Sequence, residues 1–431
     1  MKKVIEMEKN KERKNVIWNM LGATFNSFNS LFFTIIVTRI NGLNDAGIFT
    51  YAFATACVLY NIGIYEGRAF QVTDIIGKNT DTDYLYHRII TCIIMLLVSI
   101  IFVLVKGYDL YKITIFLLLC VFRLIEAFAE VLYGVLQKNG RLYQVGISLF
   151  VKAVIGIICF VILDWLTKNL IFAISSVILV NMLGILLYDR KNIKQVKMTK
   201  SKFEWKANNL IFKAGFFTFI LTFLSVYLVN ASRYAIDDLS TNDLQTIFGI
   251  IIMPATFMGL MGQYIIQPAL TKLSTYIKEE QYRPLKQIIL KLLAVLLGIG
   301  ILVLVIAYFL ETPVLGLVYG IDLTPYFVSM MLIIFGSFFY ASSMVLSMIL
   351  IAMRVTFLQA VTYGVVSVFA TMLAYQIVQQ KQILGASITY TVSMIMVTTI
   401  FLGLTMGKMK QYKRLWNKEK KNENINCNSN L

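Results

Sequence analysis

The residues best suited to chemistry lie in one stretch, 120–146, where ionisable side chains interrupt an otherwise apolar sequence. At 100° per residue, five of them fall within about 80° of one another on a helix: Arg123, Glu126, Glu130, Tyr133 and Gln137. A charge at membrane depth costs at least about 2.5–3.5 kcal/mol, so such a stripe must face a partner or a hydrated cavity. Two interpretations follow: a self-neutralising structural pair of Arg123 with Glu126 or Glu130, or a polar track for a substrate that crosses the membrane.

The composition indicates which element must carry that stripe. The chain has 431 residues, of which 58% are hydrophobic and 15% charged, whereas a soluble domain carries roughly 25% charged residues. Apolar runs of a length that spans a bilayer, about 17–25 residues, recur from end to end. The sequence therefore predicts an all-α polytopic membrane protein of about twelve transmembrane helices, with the stripe on the fourth. The predicted spans are Val16–Thr38, Ile48–Ile64, Ile89–Val105, Ile113–Leu136, Val145–Leu163, Leu170–Tyr188, Leu210–Val229, Leu244–Ile266, Ile288–Phe309, Pro325–Met353, Phe357–Ile377 and Ile383–Met406.

The distribution of basic residues predicts the orientation. Of the 40 Lys and Arg residues, 32 fall on the side that holds both termini and six on the other, which places both termini in the cytoplasm. The same distribution explains the net charge of +17, so we expect no nucleic-acid partner.

A basic segment divides the twelve spans into six and six. We predict an amino-terminal six-helix bundle over residues 1–188, a basic cytoplasmic linker over 189–209, a second six-helix bundle over 210–406 and a basic cytoplasmic tail over 407–431. Both halves then begin in the cytoplasm, which predicts a parallel internal repeat.

Polar residues on other predicted helices suggest that the two bundles surround a central hydrated cavity. Asn26 lies on a stripe of amides in the first helix, and Gln263 lies in the eighth. Arg39 and Arg233 stand at the ends of the first and seventh helices, where anchoring at the membrane interface is the alternative role. Lys152, in the fifth helix, could reach toward Glu130 or extend to the membrane surface.

Catalytic motifs are lacking in the sequence. It contains no P-loop, no G-x-S-x-G and no H-E-x-x-H, and the single histidine, His87, has no obvious metal-binding partners. We therefore expect a protein that is not an enzyme, has no cofactor and binds no metal.

Five stretches keep a characteristic order and placement on the predicted helices over nearly the whole chain. They are VTRINGLNDAGIFTYAFA (37–54), IYEGRAFQVTDI (64–75), RLIEAFAEVLYGVLQKNGRL (123–142), NASRYAIDD (230–238) and IMPATFMGLMGQYIIQPALTKLS (252–274). Together they resemble the polysaccharide-biosynthesis flippases, the O-antigen and capsule exporters of the multidrug/oligosaccharidyl-lipid/polysaccharide (MOP) superfamily. Lipid II flippases of the same superfamily have more helices and carry arginines in the first one, so a peptidoglycan role is disfavoured.

The resemblance implies alternating access in the cytoplasmic membrane and a substrate of undecaprenyl-pyrophosphate-linked oligosaccharide repeat units. It implies pyrophosphate contacts from Arg123, Arg39 and Arg233, and contacts to sugar hydroxyls from Asn26, Gln137 and Gln263. Glu126 and Glu130 would exchange a proton or a sodium ion. The implied partners are the phospholipid bilayer, a polysaccharide polymerase and a chain-length regulator. The alternative is a multidrug or cation antiporter of the related MATE class.

Overall fold

The computed structural model describes residues 2–74, 79–279 and 281–428, which form fifteen α-helices and no strand. The predicted all-α class is therefore confirmed. In chain order the helices are α1 (Lys2–Ile40), α2 (Leu43–Ile64), α3 (Gly67–Thr73), α4 (Asp81–Lys106), α5 (Leu110–Lys138), α6 (Leu142–Thr167), α7 (Leu170–Leu183), α8 (Arg190–Ile193), α9 (Trp205–Leu239), α10 (Asn242–Ile251), α11 (Met253–Ile266), α12 (Leu270–Lys278), α13 (Tyr282–Tyr319), α14 (Phe327–Ala352) and α15 (Thr356–Asn428).

Ten helices of the described chain are long and apolar enough to cross a membrane. Two features bring this number to the predicted twelve. Helix α5 has 29 residues but carries the charged stripe, and α15 contains the non-helical Gln382 (φ 47°), which separates two predicted spans. Helix α4 has an apolar face suited to contact with lipid, on which Ile93, Leu97 and Ile101 are exposed. The chain is thus a multi-pass membrane protein.

The contacts divide the chain into two compact units. The first contains residues 1–226 and 241–246, and the second contains residues 227–240 and 247–431. The division falls inside α9, not in the basic segment 189–209. That segment is fixed to the start of α4, because Asp81 accepts hydrogen bonds from the backbone N–H and the hydroxyl of Thr199, both at 2.9 Å. The domain limits drawn from the sequence stay a prediction.

In the first unit, close packing of α1 on α6 depends on two glycines. A Cβ added at Gly22 would lie 2.3 Å from the carbonyl oxygen of Gly146, and one added at Gly146 would lie 2.2 Å from the backbone of Trp18. Small residues at such a crossing let two helix backbones approach, which is the main source of helix association in lipid. The apolar core beside it contains Phe33, Phe49 and other residues of α1, α2, α5, α6 and α7.

In the second unit, the eighth predicted span is interrupted next to a proline. This span is divided into α10 and α11 at Ile252, and Pro254 lies in the first turn of α11. A proline cannot donate the backbone hydrogen bond of a helix interior, so it is tolerated in a first turn. Tyr227 and Thr371 hydrogen-bond through their hydroxyls at 2.8 Å and join α9 to α15 in this unit.

Candidate functional site

Helix α5 carries the predicted polar stripe through the first unit. Its N-cap, Asp109, accepts a hydrogen bond from the backbone N–H of Lys112. In the turns that precede the stripe, Phe116, Leu119 and Phe122 are buried in the apolar core. The stripe faces side chains of other helices and two small cavities, as the cost of a bare charge in lipid requires.

The amino-terminal part of the stripe is an ion pair within α5. Arg123 Nη1 lies 2.6 Å from Glu126 Oε2, one helical turn away. Its other terminal nitrogen, Nη2, donates to the sulfur of Cys57 at 3.0 Å, and the guanidinium lies 4.6 Å from the centre of the Phe53 ring. Contacts with an aromatic face stabilise a desolvated cation. The structural pair foreseen for Arg123 therefore exists, with Glu126 as the partner.

The carboxyl-terminal part of the stripe is bound by an arginine from another helix. Arg68, in α3, donates from Nη1 to both oxygens of Glu130 at 2.9 and 3.3 Å. Its Nε donates to Gln137 Oε1 at 3.0 Å. The side chains of Arg68 and Glu130 keep 24% and 21% of their surface exposed, so this pair is open to its surroundings.

Glu130 lines two cavities. The larger, of about 420 Å³, is lined by Arg68, Glu130 and Gln137 together with residues of the α2–α3 junction such as Glu66. The smaller is lined by Glu126, Glu130 and Tyr133 of α5 and by residues of other helices, among them Asn26, Tyr60, Lys152 and Asn181. Glu130 is thus accessible from both, which suits a group whose partner can change.

A third ion pair lies beside the smaller cavity. Lys152 Nζ lies 2.8 Å from Asp189 Oδ2 and donates to the Tyr133 hydroxyl at 2.6 Å. Lys152 is therefore buried, so its predicted extension to the membrane surface is wrong. It lines the smaller cavity together with Glu130, although its ion pair is with Asp189. Asp189 ends a π-helical turn, Gly184–Asp189, that follows α7. Such turns are rare and are found mostly at functional sites.

Arg88 of α4 supports the break between α2 and α3. The chain turns there through Tyr65 and Glu66, which both adopt left-handed backbone conformations (φ 40° and 51°). The carbonyl of Gly63 accepts hydrogen bonds from the Arg88 guanidinium and, at 2.7 Å, from the Thr91 hydroxyl. Non-glycine residues at positive φ are strained and persist where surrounding contacts fix them. Arg88, which is 1% exposed, therefore holds the junction that presents Arg68.

The structure brings together five of the eight residues assigned to the site from sequence: Arg123, Glu126, Glu130, Gln137 and Asn26. Asn26 lines the smaller cavity and accepts a hydrogen bond from Asn29 at 3.2 Å. Arg39 is exposed at the last turn of α1. Arg233 and Gln263 belong to the second unit, where Arg233 is buried with its guanidinium 5.7 Å from the Phe248 ring centre and Gln263 is exposed on α11.

Three residues of the site were not identified from the sequence: Arg68, Asp189 and Arg88. The motif IYEGRAFQVTDI contains Arg68, so its place in the resemblance was the available signal. By sequence, Asp189 is the first residue of the predicted basic linker 189–209, and Arg88 is one of the many basic residues of the predicted cytoplasmic side. No pattern within their own helices indicates that they face a buried partner.

Comparison with known proteins agrees with this architecture. No family model matches the chain. A capsular polysaccharide biosynthesis protein of Staphylococcus aureus, CapF, is 24% identical over 366 residues, which cover 83% of this chain and 90% of CapF.

Solved structures of membrane transporters are similar over nearly the whole chain. A multidrug resistance MATE family transporter of the MOP superfamily, in its inward-facing conformation, superposes with a TM-score of 0.69 at 11% identity, covering 92% of this chain and 99% of the transporter. The lipid II flippase MurJ, in an inward closed conformation, gives a TM-score of 0.70 at 14% identity and coverages of 90% and 87%. The chain therefore has the transporter fold that MATE proteins of the MOP superfamily share with the lipid II flippase MurJ.

Proposed function

We propose that this protein flips undecaprenyl-pyrophosphate-linked oligosaccharide repeat units across the cytoplasmic membrane during assembly of a surface polysaccharide. The observation that carries the proposal is the charged α5 stripe, whose Glu126 and Glu130 line cavities together with Arg68 of α3 in a chain with a transporter fold. A lipid-linked oligosaccharide has an anionic diphosphate and many hydroxyls, and these need cationic and amide partners at membrane depth. The likeness to CapF, a capsular polysaccharide biosynthesis protein, supports the same class of substrate.

Each polar group has a role in this proposal. Arg123 binds diphosphate oxygens by charge-assisted hydrogen bonds, and Arg39 and Arg233 are proposed to do so at other stages of the cycle. Asn26, Gln137 and Gln263 bind sugar hydroxyls. Glu126 and Glu130 take up a proton or a sodium ion, which couples the change of access to a cation. A polysaccharide polymerase and a chain-length regulator are the proposed partners on the far side of the membrane, and both termini of this chain lie in the cytoplasm.

Deletion of the gene tests this function in the cell. Repeat units linked to undecaprenyl diphosphate should then accumulate in the cytoplasmic leaflet, and the surface polysaccharide should disappear. Re-expression of the wild-type chain should restore both. Normal surface polysaccharide in the deletion strain, with no second similar gene present, would contradict the proposal.

A multidrug or cation antiporter is the second candidate, because the MATE transporter of known structure shares the fold. Measurement of drug sensitivity separates the two functions. An antiporter for cationic drugs predicts that deletion lowers the inhibitory concentration of such compounds while the surface polysaccharide stays unchanged. A polysaccharide flippase predicts that deletion abolishes the surface polysaccharide and leaves the inhibitory concentrations unchanged.

A further inference from the structure

The ion pair of Arg68 and Glu130 is more exposed than the two pairs that border the smaller cavity. Arg123–Glu126 and Lys152–Asp189 keep at most 16% of either side chain exposed, whereas Arg68 and Glu130 keep 24% and 21%. Both residues also line the 420 Å³ cavity. An anion that enters this cavity can therefore reach the guanidinium without unfolding any helix.

The geometry of Arg68 leaves it able to bind a phosphate. Nε is held by Gln137 at 3.0 Å, and Nη1 is the nitrogen that contacts Glu130. A guanidinium presents five donors in a rigid fork that matches two oxygens of a phosphate as well as two oxygens of a carboxylate. Exchange of Glu130 for a phosphate would thus leave the hydrogen bond to Gln137 in place.

A buried amide next to this pair lacks a partner. Gln71, one turn after Arg68 on α3, is fully buried, and neither its amide oxygen nor its nitrogen has a hydrogen-bond partner among the described residues. It packs so closely on α5 that a Cβ added at Gly134 would lie 2.0 Å from its oxygen. An unmatched buried amide costs about 1–3 kcal/mol, so its retention beside a charged cavity is consistent with a site that binds a further polar group.

The backbone that carries Arg68 is fixed independently of the pair. Arg88 and Thr91 hold the carbonyl of Gly63, and the strained Tyr65 and Glu66 set the direction in which α3 leaves α2. Discontinuous helices of this kind form substrate and ion sites in transporters. The partner of the Arg68 side chain can therefore change while its Cα stays in place.

We propose that Arg68 and Glu130 form an exchange pair. A phosphate of the substrate head group takes Arg68 from Glu130, and the released carboxylate takes up a proton or a sodium ion from the adjoining cavity. This inference rests on the proposed flippase function and adds the group that links substrate binding to cation uptake. The charges balance, since the pair is neutral, the phosphate adds negative charge and the cation offsets one unit of it.

Linkage makes the exchange measurable. If a cation on Glu130 strengthens phosphate binding at Arg68, phosphate must strengthen cation binding at Glu130 by the same factor, which is typically about 5–150-fold. Protonation releases Arg68, so phosphate affinity should rise as the pH falls. The ionisable groups that face Glu130 from the surrounding elements are Tyr60 and Glu66 of the α2–α3 region, Arg68 of α3, Arg88 of α4, Glu126 and Tyr133 of α5, and Lys152 of α6.

Titration of undecaprenyl diphosphate into the full-length protein in lipid nanodiscs tests the exchange. Glu130→Gln should bind on the order of tenfold more tightly than the wild type at pH 8 and should lose the dependence on pH and sodium. Arg68→Ala should bind on the order of tenfold less tightly, and the double variant should match Arg68→Ala, because Glu130 acts only through Arg68. Arg141→Ala, which removes an exposed arginine bound to Gln195 at 3.0 Å, is the matched control and should bind as the wild type does.

The outcomes separate the exchange from the proposed function. If the wild type binds undecaprenyl diphosphate but Glu130→Gln has no higher affinity, the exchange pair is wrong and the flippase function stands. The same holds if Glu130→Gln raises the affinity equally with and without Arg68. No binding by the wild type overturns both. A monodisperse elution profile excludes misfolding as the cause of a lower affinity. Arg68→Lys keeps the charge but loses the planar guanidinium, so it should recover part of the affinity that Arg68→Ala loses. Inorganic diphosphate, titrated in parallel, distinguishes a lipid head group from free phosphate as the ligand.

Discussion

Breaking the Lys152–Asp189 pair should destabilise the first unit strongly. Lys152→Met removes the Nζ contacts to Asp189 (2.8 Å) and to the Tyr133 hydroxyl (2.6 Å). Asp189 is fully buried, so its carboxylate then lies in apolar surroundings without its cation. Removal of one partner of a buried pair costs about 3–5 kcal/mol.

A double variant separates the effect of the unpaired charge on stability from the effect of packing. In Lys152→Met/Asp189→Asn both charges are absent, and replacement of a buried pair by neutral residues is often tolerated. We therefore expect the double variant to be more stable than the single one. Lys191→Met, which removes an exposed lysine of α8, is the control and should change the free energy of unfolding by less than about 0.5 kcal/mol.

Thermal unfolding in detergent, followed by near-ultraviolet circular dichroism, provides the comparison. The expected order of melting temperature is wild type and Lys191→Met highest, the double variant next and Lys152→Met lowest. A single variant as stable as the wild type would show that the pair is hydrated or absent, and the account of a buried ion pair would be wrong.

Three further predictions concern packing and charge elsewhere. Gly146→Leu should separate α1 from α6, because even a Cβ there would lie 2.2 Å from the Trp18 backbone; loss of the monodisperse species on size exclusion checks it, and normal elution with wild-type stability contradicts it. Glu311→Met should raise the melting temperature, since both oxygens of this buried carboxyl lack a hydrogen-bond partner in the described chain and an unmatched polar group costs about 1–3 kcal/mol; an unchanged or lower value counts against it. Glu126→Gln should keep the protein folded and change how transport depends on pH or sodium, measured in vesicles with imposed gradients; a profile identical to wild type removes Glu126 from the coupling.

Helix positions could be predicted from the sequence because length and apolar character determine what crosses a bilayer. The second predicted span ends at Ile64, as α2 does, and the predicted Ile113–Leu136 lies inside α5 (Leu110–Lys138). Pro254 indicates a kink in the eighth span, and the structure divides that span next to it. The sequence does not predict the further helix α3 beyond Ile64, because Tyr65 and Glu66 turn the chain in left-handed conformations without a glycine at either position.

The partners of the charged residues could not be predicted in the same way. Helical periodicity shows which residues share a face, so it identified Arg123 and Glu126, which are three residues apart. It carries no information on which face of another helix lies opposite. Glu130 and Arg68 are 62 positions apart, and Lys152 and Asp189 are 37 apart. These pairs depend on tertiary packing, and a single sequence contains no signal for them.

The claim that this chain moves a lipid-linked oligosaccharide is tested most directly by reconstitution. Purified protein in vesicles would be supplied with a fluorescent undecaprenyl-diphosphate-linked oligosaccharide on one leaflet, and its arrival on the other leaflet would be measured with a membrane-impermeant quencher. We predict transfer by the wild type and by Arg141→Ala, and none by Arg123→Ala inserted to the same level. Transfer by Arg123→Ala at the wild-type rate would show that Arg123 and Glu126 form only a structural pair, and absence of transfer by the wild type would contradict the proposed function itself.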